Sequence, residues 1–382
     1  MDKSSKIYKK QADYFLLSLT VIQILIFFIP ELISIQALVL LLSGVYFATK
    51  KKFYDNVIYI ITFLAACDTY YRQVQISGYS LVLPWETSKY LSILLCAIFY
   101  FSSVNKTKKK YSILLTIFIL FCIPSVIISI FYTDFSYDSI KASISGYFSG
   151  LFSLYVVCNA FDGHKMDLIK LKKITQYYFS GLIPTTFFLL KNLYNISDIE
   201  FGLSSNFAFS GYGPIHISTS ISFLLCLLLI TNHLYKLWNY KIIITFVSMI
   251  YLLLMILTFS RAGLFMLIIS MSLVLIFQKN KLKFLFPIVV FSLIFYLFIY
   301  PIISDVTYGA VEDRFGEVTP SSRVDLIKSD FNIFLDYPFF GVGLGRAYLY
   351  RDSFDQVISL SKSHTEFTRF LSEQGLFGFL CN

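Results

Sequence analysis

Charged residues are scarce in this sequence: they make up 14% of its 382 residues, whereas soluble domains contain about 25%. The sequence also lacks a Cys-x-x-Cys pair, which argues against a zinc site or a disulfide framework. It lacks an Asp-x-Asp pair as well, which argues against a metal-held nucleotide-sugar site. We therefore expect no metal and no other cofactor.

Long apolar runs dominate instead, and 57% of the residues are hydrophobic. A membrane-spanning helix needs about 20 mostly apolar residues, and no small-residue cleavage site follows the first run. We predict an all-α polytopic transmembrane helix bundle, with residues 1–382 forming one integral membrane domain. A twelfth apolar segment has only begun before Asn382, so we expect the chain to be truncated. The eleven predicted spans are 14–29, 32–48, 54–67, 89–104, 111–131, 139–160, 174–191, 214–231, 241–258, 262–277 and 284–302.

The loops between these spans alternate in charge. One alternate set, which includes the N-terminus, holds 20 of the 32 basic residues and only five acids. Positive charge marks the cytoplasmic side of a membrane. We therefore predict a multi-pass protein of the cell (cytoplasmic) membrane with a cytoplasmic N-terminus and one long external loop over residues 303–370. Because the positive charge is scattered among short loops, the net charge of +9 does not indicate a nucleic-acid partner.

Arginine and lysine are segregated between the two sides. All 20 basic residues on the predicted cytoplasmic side are lysine, whereas all seven arginines lie on the predicted outer side, five of them in the long loop. The planar fork of donors on arginine suits phosphate oxygens better than the single ammonium of lysine. The set therefore indicates a phosphate-binding site, and the alternative is that individual arginines pair with acids of the loop.

The long external loop carries two predicted amphipathic helices. A capping-box-like start at residues 322–325 opens the first, and Tyr337-Pro338 ends it. A glycine-rich turn at 339–345 follows, for which we expect a tight backbone path at the membrane surface. The second helix opens at 363–366 and contains His364, the best acid–base candidate because imidazole titrates near neutral pH. The apolar positions with helical spacing are Val324, Ile327, Phe331 and Phe334 in the first helix, and Phe367 and Leu371 beside His364 in the second.

Two further outer loops, 68–88 and 192–213, are rich in aromatic residues. Aromatic faces stack on sugar rings, but aromatic residues also anchor proteins at the membrane interface. These loops therefore give only weak candidates for binding a glycan. The candidates are Arg72, Trp85, Tyr212 and His216.

Three segments resemble motifs of the O-antigen ligase and polysaccharide polymerase family of bacterial membrane glycosyltransferases. The sequence TFSRAG at 258–263 is similar to that family's Ser-Arg-Gly/Ala motif. The sequence SR at 322–323, followed by DYPFFGVGLG at 336–345, resembles its Arg…Pro-Leu-Phe-Gly-Val-Gly segment. The sequence SHTEF at 363–367, followed by EQGLFG at 373–378, resembles its His-Asn-Glu-Tyr…Glu-x-Gly-Ile-x-Gly segment. The three matches occur in the family's order.

The resemblance implies a GT-C-like, metal-independent glycosyltransferase. Such an enzyme takes a glycan from a polyprenyl-diphosphate carrier at the outer face of the membrane and transfers it to an acceptor hydroxyl. By position, Arg261 and Arg323 would bind the diphosphate, with Arg314 and Arg346 as further candidates, and His364 would activate the acceptor. The implied partners are a polyprenyl-diphosphate-linked oligosaccharide, membrane lipid and other polysaccharide assembly proteins.

The sequence leaves four functions open. We favour a polysaccharide polymerase, whose acceptor is a second lipid-linked glycan, as in capsule synthesis. An O-antigen-type ligase would use a different acceptor. A transporter or flippase for lipid-linked sugars would need charged residues inside the spans, which hold almost none. The fourth alternative is an inactive truncated fragment.

Overall fold

The computed structural model describes fifteen stretches of the chain, and every regular element within them is helical. The all-α prediction is therefore confirmed for these residues. The described residues are 3–50, 53–76, 87–104, 113–131, 153–161, 166–195, 210–211, 213–277, 281, 289, 293, 295–307, 309, 321–351 and 366–380.

Fourteen α-helices lie in the described stretches, together with π-helical turns at Leu229–Leu234 and Phe295–Ile299 and a 3-10 helix at Ala347–Tyr350. The α-helices are α1 (Lys3–Phe28), α2 (Leu32–Thr49), α3 (Tyr54–Ile76), α4 (Thr87–Val104), α5 (Ile113–Phe131), α6 (Ser153–Phe161), α7 (Leu168–Gly181), α8 (Ile183–Tyr194), α9 (Pro214–Leu228), α10 (Lys241–Leu257), α11 (Arg261–Phe277), α12 (Tyr300–Val306), α13 (Ser321–Asp336) and α14 (Glu366–Leu380).

Each predicted span contains helix within its described residues. Two of them, Leu32–Thr49 and Pro214–Asn232, are long and apolar enough to cross a membrane. Four shorter apolar helices accompany them among the described residues: Asp13–Phe28, Thr87–Ser102, Lys241–Leu257 and Arg261–Ile276. The eleven-span arrangement, the external loop and the single membrane domain stay predictions.

Two predicted boundaries are wrong. The third span was expected to end at residue 67, but α3 continues to Ile76 because Tyr70 and Tyr71 pack into the core with α1 and α2 instead of lying in a loop. The predicted span 174–191 is divided at Leu182 into α7 and α8. Pro184 lies in the first turn of α8, where its missing N–H is tolerated.

The chain divides into two compact units. Unit 1 comprises residues 1–102 and 165–317, and unit 2 comprises residues 103–164 and 318–382. Unit 1 contains two apolar cores, one built on α1, α2, α3 and α7 and the other on α7, α8, α9 and α10. Unit 2 contains α5, α13 and α14, with residues 337–351 folded against all three.

Small residues and hydroxyl pairs bring the helices of unit 1 together. A Cβ atom added at Gly181 in α7 would lie 2.6 Å from the carbonyl oxygen of Phe63 in α3, so the two backbones nearly touch. Such contacts are typical of membrane helices, because lipid supplies no hydrophobic force that drives helices together. The hydroxyl pairs between helices are Thr20–Ser180 and Thr69–Thr185, both at 2.9 Å, and Thr186–Tyr251 at 2.8 Å.

Lysines and acids from separate loops meet at one end of unit 1. Lys170 lies 2.9 Å from Asp55, and Lys173 pairs with Asp13. All four residues belong to the charged set that the loop pattern assigned to one side of the membrane. We call this the lysine end of unit 1; it is cytoplasmic in the topology that the lysines predict.

We predict that Gly181→Ala destabilises the protein by about 1–3 kcal/mol, because the added methyl group meets a backbone carbonyl that cannot move by itself. Gly44→Ala is the matched control: Gly44 is also a buried helical glycine, but the atoms that meet its added Cβ are the methyl groups of Leu95, which can rotate. Thermal unfolding in detergent measures both. Equal unfolding temperatures for the two variants would contradict this account of the α3–α7 contact.

Candidate active site

A strained turn holds Arg261 at the start of α11. The turn consists of Thr258, Phe259 and Ser260, which connect α10 directly to α11. Phe259 adopts a left-handed conformation with φ +53° and is fully buried. That conformation costs about 1–2 kcal/mol for a residue with a Cβ, and strain of this kind is concentrated at functional sites. The hydroxyl of Thr258 donates to the Met255 carbonyl at 2.7 Å and closes the end of α10.

The first turn of α11 packs against the first turn of α9. The hydroxyl of Ser218 donates to that of Ser260 at 2.9 Å. A Cβ atom at Gly263 would lie only 2.6 Å from the Ser218 carbonyl oxygen. Gly263, the last residue of the TFSRAG motif, is therefore required for the close approach of two backbones. Because Ser260 and Gly263 lie on either side of Arg261, the contact fixes the position of the Arg261 backbone relative to α9.

Three candidate residues, Arg72, His216 and Arg261, lie at the same end of unit 1. The end of α3 marks this position: Gln73 is about 27 Å along that helix from Asp55, at 1.5 Å per residue, and its side chain lies against Gly211, just before α9. His216 is exposed in the first turn of α9, and Arg261 begins α11, which contacts α9 at Ser218. Arg72 precedes Gln73. This end is opposite the lysine end, and the N-termini of α9 and α11 add partial positive charge to it.

The Arg72 side chain pairs with an acid of its own helix. Its Nε atom lies 2.8 Å from Asp68 Oδ2, and both side chains are partly buried. The alternative that some arginines pair with neighbouring acids is therefore confirmed for Arg72. Trp85 and Tyr212, the aromatic candidates near it in the predicted topology, lie outside the described residues.

The glycine segment, residues 338–345 of unit 2, forms backbone hydrogen bonds with α14. Val342 N–H donates to the Ser372 carbonyl at 2.9 Å, and Gly343 N–H donates to the next carbonyl along at 3.0 Å. These acceptors are available because α14 bends at Gly375, where φ is +63° and ψ is −163°. The bend turns Leu376 N–H away from Ser372 and toward the Pro338 carbonyl at 2.7 Å.

Glycines permit this pairing because no side chain would fit between the backbones. A Cβ atom at Gly341 would overlap the backbone of Glu373, and one at Gly375 would lie 2.5 Å from the carbonyl carbon of Phe339. On the other side, Ser129 of α5 lies within hydrogen-bond distance, 3.1 Å, of the Leu344 carbonyl. The tight backbone path predicted for the glycine-rich turn is confirmed, and the segment runs between α5 and α14.

An apolar cavity of about 280 Å³ opens beside the glycine segment. It belongs to unit 2 alone. Its walls are aromatic and aliphatic. The cavity is lined by Ile128, Tyr337, Pro338, Phe339, Phe340, Gly341, Val342 and Tyr350.

The first helix of the predicted external loop, α13, forms at Ser321–Asp336 and ends before Tyr337-Pro338, as predicted. Its buried face is different from the apolar stripe that the spacing indicated. Phe331 on that stripe is 46% exposed, whereas its neighbour Asp330 is fully buried. The buried positions are Leu326, Ser329, Asp330 and Ile333.

An ion pair explains the burial of Asp330. The Nη2 atom of Arg351 lies 2.6 Å and its Nε atom 3.2 Å from Asp330 Oδ1, and Thr368 Oγ1 donates to Oδ2 at 3.2 Å. Arg351 is 1% exposed. Burying two charges is costly unless they are paired and hydrogen-bonded. Sequence reasoning missed this cluster, because it treated Arg351 only as one member of the arginine set.

Of the other candidate residues in unit 2, two lie within the described part of the chain. Arg346 is 9% exposed, and its guanidinium lies 6.0 Å from the centre of the Tyr350 ring, within range of a cation–π contact. Arg323 stands in the first turn of α13. His364 and Arg314 lie outside the described residues, and α14 is described from Glu366 onward. Among the residues that the structure describes, no group of three or more His, Cys, Asp or Glu could hold a metal.

We predict that Gly341→Ala disrupts the pairing between the glycine segment and α14 and lowers the free energy of unfolding by more than about 2 kcal/mol. The reasons are the left-handed φ of +67° and the overlap with Glu373. Gly345→Ala is the control, because Gly345 has a similar φ of +71° but is exposed. Denaturation in detergent compares the two. An equal loss in both would mean that backbone conformation alone, and not the contact with α14, requires glycine at 341.

The comparison with known proteins supports the resemblance seen in the motifs. Residues 244–382 match the family model described as O-antigen ligase. The match begins inside α10 and includes the Arg261 turn, α13, the glycine segment and α14. No curated protein and no solved structure matches the chain. The match covers the C-terminal part of a membrane protein and is consistent with the O-antigen ligase family.

Proposed function

We propose that this protein is a polysaccharide polymerase. It transfers glycan repeat units from a polyprenyl-diphosphate carrier to a sugar hydroxyl of a second lipid-linked glycan at the outer face of the cytoplasmic membrane. The observation that carries the proposal is the O-antigen ligase match over residues 244–382, which contains both motif arginines. Proteins of this family act on lipid-linked polysaccharide. The lysine end of unit 1 supports an orientation with Arg261 on the outer side.

The reaction is a displacement at the anomeric carbon. The acceptor oxygen forms a bond to that carbon, the bond to the diphosphate oxygen breaks, and the electron pair leaves with the diphosphate. Negative charge therefore grows on the leaving group, and fixed guanidinium groups in a site with little water stabilise it. We assign this role to Arg261 and Arg323. With that stabilisation, a diphosphate departs without help from a metal.

The acceptor hydroxyl must lose a proton as it attacks. We assign His364 as the base that takes it, since a positioned base accelerates such a step by about 10²–10⁴-fold. Arg314 and Arg346 are further candidates for the diphosphate, but the contact of Arg346 with the Tyr350 ring favours a structural role. Arg72, Trp85, Tyr212 and His216 are the candidates for contacting the glycan.

The apolar cavity beside the glycine segment supports a lipid substrate. Its aromatic and aliphatic walls suit the first isoprene units of a polyprenyl chain. Burial of each CH₂ contributes about 0.8 kcal/mol, so several units held in the cavity bind the carrier appreciably. None of the described residues that line the cavity is charged.

The acceptor distinguishes the polymerase from its alternatives. We expect the purified chain, given only a polyprenyl-diphosphate-linked repeat unit, to produce a ladder of longer lipid-linked glycans on a gel. A ligase would form product only when a different acceptor lipid is added. A transporter or flippase would move the labelled glycan across a vesicle membrane without lengthening it. Either result would replace the polymerase assignment.

We predict that Arg261→Lys and Arg323→Lys each reduce the transfer rate by about 10²–10³-fold at normal protein levels. Lysine keeps the charge but loses the planar fork of donors. Arg369→Lys is the control, since Arg369 is a half-buried arginine in a 3.8 Å contact with Glu373. Polymer of full length and normal yield from both variants would remove the two arginines from the diphosphate site.

A further inference from the structure

We infer that Asp330 is a positioning residue for glycosyl transfer, acting through Arg351 and Thr368. The inference rests on the proposed function and adds a residue to it. Asp330 lies in the middle of α13 and is fully buried. Its carboxylate joins α13, the end of the 3-10 helix and the first turn of α14.

The two partners of Asp330 flank the stretch that carries His364. Arg351 comes directly before residues 352–365, and Thr368 is four residues after His364. One carboxylate therefore holds the residue before this stretch and the first turn of the helix after it: Oδ1 binds the guanidinium and Oδ2 accepts from the threonine. A displacement of either partner changes the point at which the chain leaves Arg351 or the point at which it enters α14.

Asp330 also fixes the helix that carries Arg323. Arg323 is seven residues earlier in α13, which is two helical turns or about 10 Å along the axis. α13 packs against α14, and the bond from Thr368 to Asp330 is part of that contact. The same contact therefore sets the relation between the helix of one proposed diphosphate residue and the helix that follows the proposed base.

Burying the Asp330–Arg351 ion pair costs free energy, which indicates that the pair serves to orient the segments it joins. Apolar residues of similar volume often stabilise a protein as well as a buried ion pair does, or better. What the charged pair adds is direction, because two guanidinium nitrogens and one hydroxyl must all point to one carboxylate. Catalysis needs such direction, since a misplacement of about 1 Å can cost on the order of 10²-fold in rate.

The test is a double-mutant cycle on the full chain, measured as steady-state transfer with polyprenyl-diphosphate-linked repeat units. We expect Asp330→Asn, which keeps the shape but removes the charge, to lower kcat by about 10²-fold and to change KM for the donor by less than about 3-fold. We also expect Asp330→Asn combined with His364→Ala to be no slower than His364→Ala alone, because both changes remove one function.

A control variant and a substitute variant complete this test. Asp55→Asn breaks the 2.9 Å ion pair with Lys170 at the lysine end, and we expect it to transfer at the parent rate. If Asp330→Asn does not fold, Thr368→Val replaces it, since valine matches threonine in shape and leaves the ion pair intact. Its expected loss is about 10-fold in kcat, again absent when His364→Ala is present.

The outcomes separate this inference from the proposed function. A parent-like kcat for Asp330→Asn would overturn the inference, and so would a double variant slower than His364→Ala by the full Asp330→Asn factor. If His364→Ala itself transfers normally, the assignment of the base fails. The cycle of Asp330→Asn with Arg323→Lys then decides: non-additive losses support positioning by Asp330, and additive losses overturn it.

Discussion

Close approach of backbones is the constraint on which both units depend. In unit 2, the pairing of the glycine segment with α14 is possible because neither Gly341 nor Gly375 carries a side chain. In unit 1, Gly181 and Gly263 allow helices to contact a neighbouring backbone in the same way. A chain that packs in lipid cannot rely on hydrophobic force between helices. Dispersion contacts and hydrogen bonds must replace it, and both require short distances.

Polar groups add direction to these contacts. Hydroxyl pairs such as Ser218–Ser260 join helices in unit 1, whereas unit 2 uses the full charges of Asp330 and Arg351. A bond between neutral hydroxyls contributes little net energy in membrane helices, so it serves mainly to fix the alignment of the two helices. The charged cluster has a larger penalty when it is broken, because removing one partner leaves a buried charge uncompensated.

The sequence predicted the positions of helices along the chain better than it predicted which face of each helix is buried. Apolar run length and the Tyr337-Pro338 end signal located α13 correctly, because both are local properties. The buried face of α13 depends on Arg351, a residue distant in sequence, and no local pattern indicates that Asp330 has a partner there. The extension of α3 past residue 67 was missed for a similar reason: burial of Tyr71 against other helices outweighs the polar composition of that turn.

Packing contacts account for several hydroxyl and glycine residues of the three motifs. In TFSRAG, Thr258 closes α10, Ser260 bonds to α9 and Gly263 admits the α9 backbone. In the second and third motifs, Gly341 and Gly375 are accounted for by the pairing of the glycine segment with α14. The arginines at 261 and 323 bring a different property to these motifs, a planar fork of donors that suits the oxygens of a diphosphate. Lysine would supply the same charge without that geometry, so diphosphate binding is assigned to the two arginines.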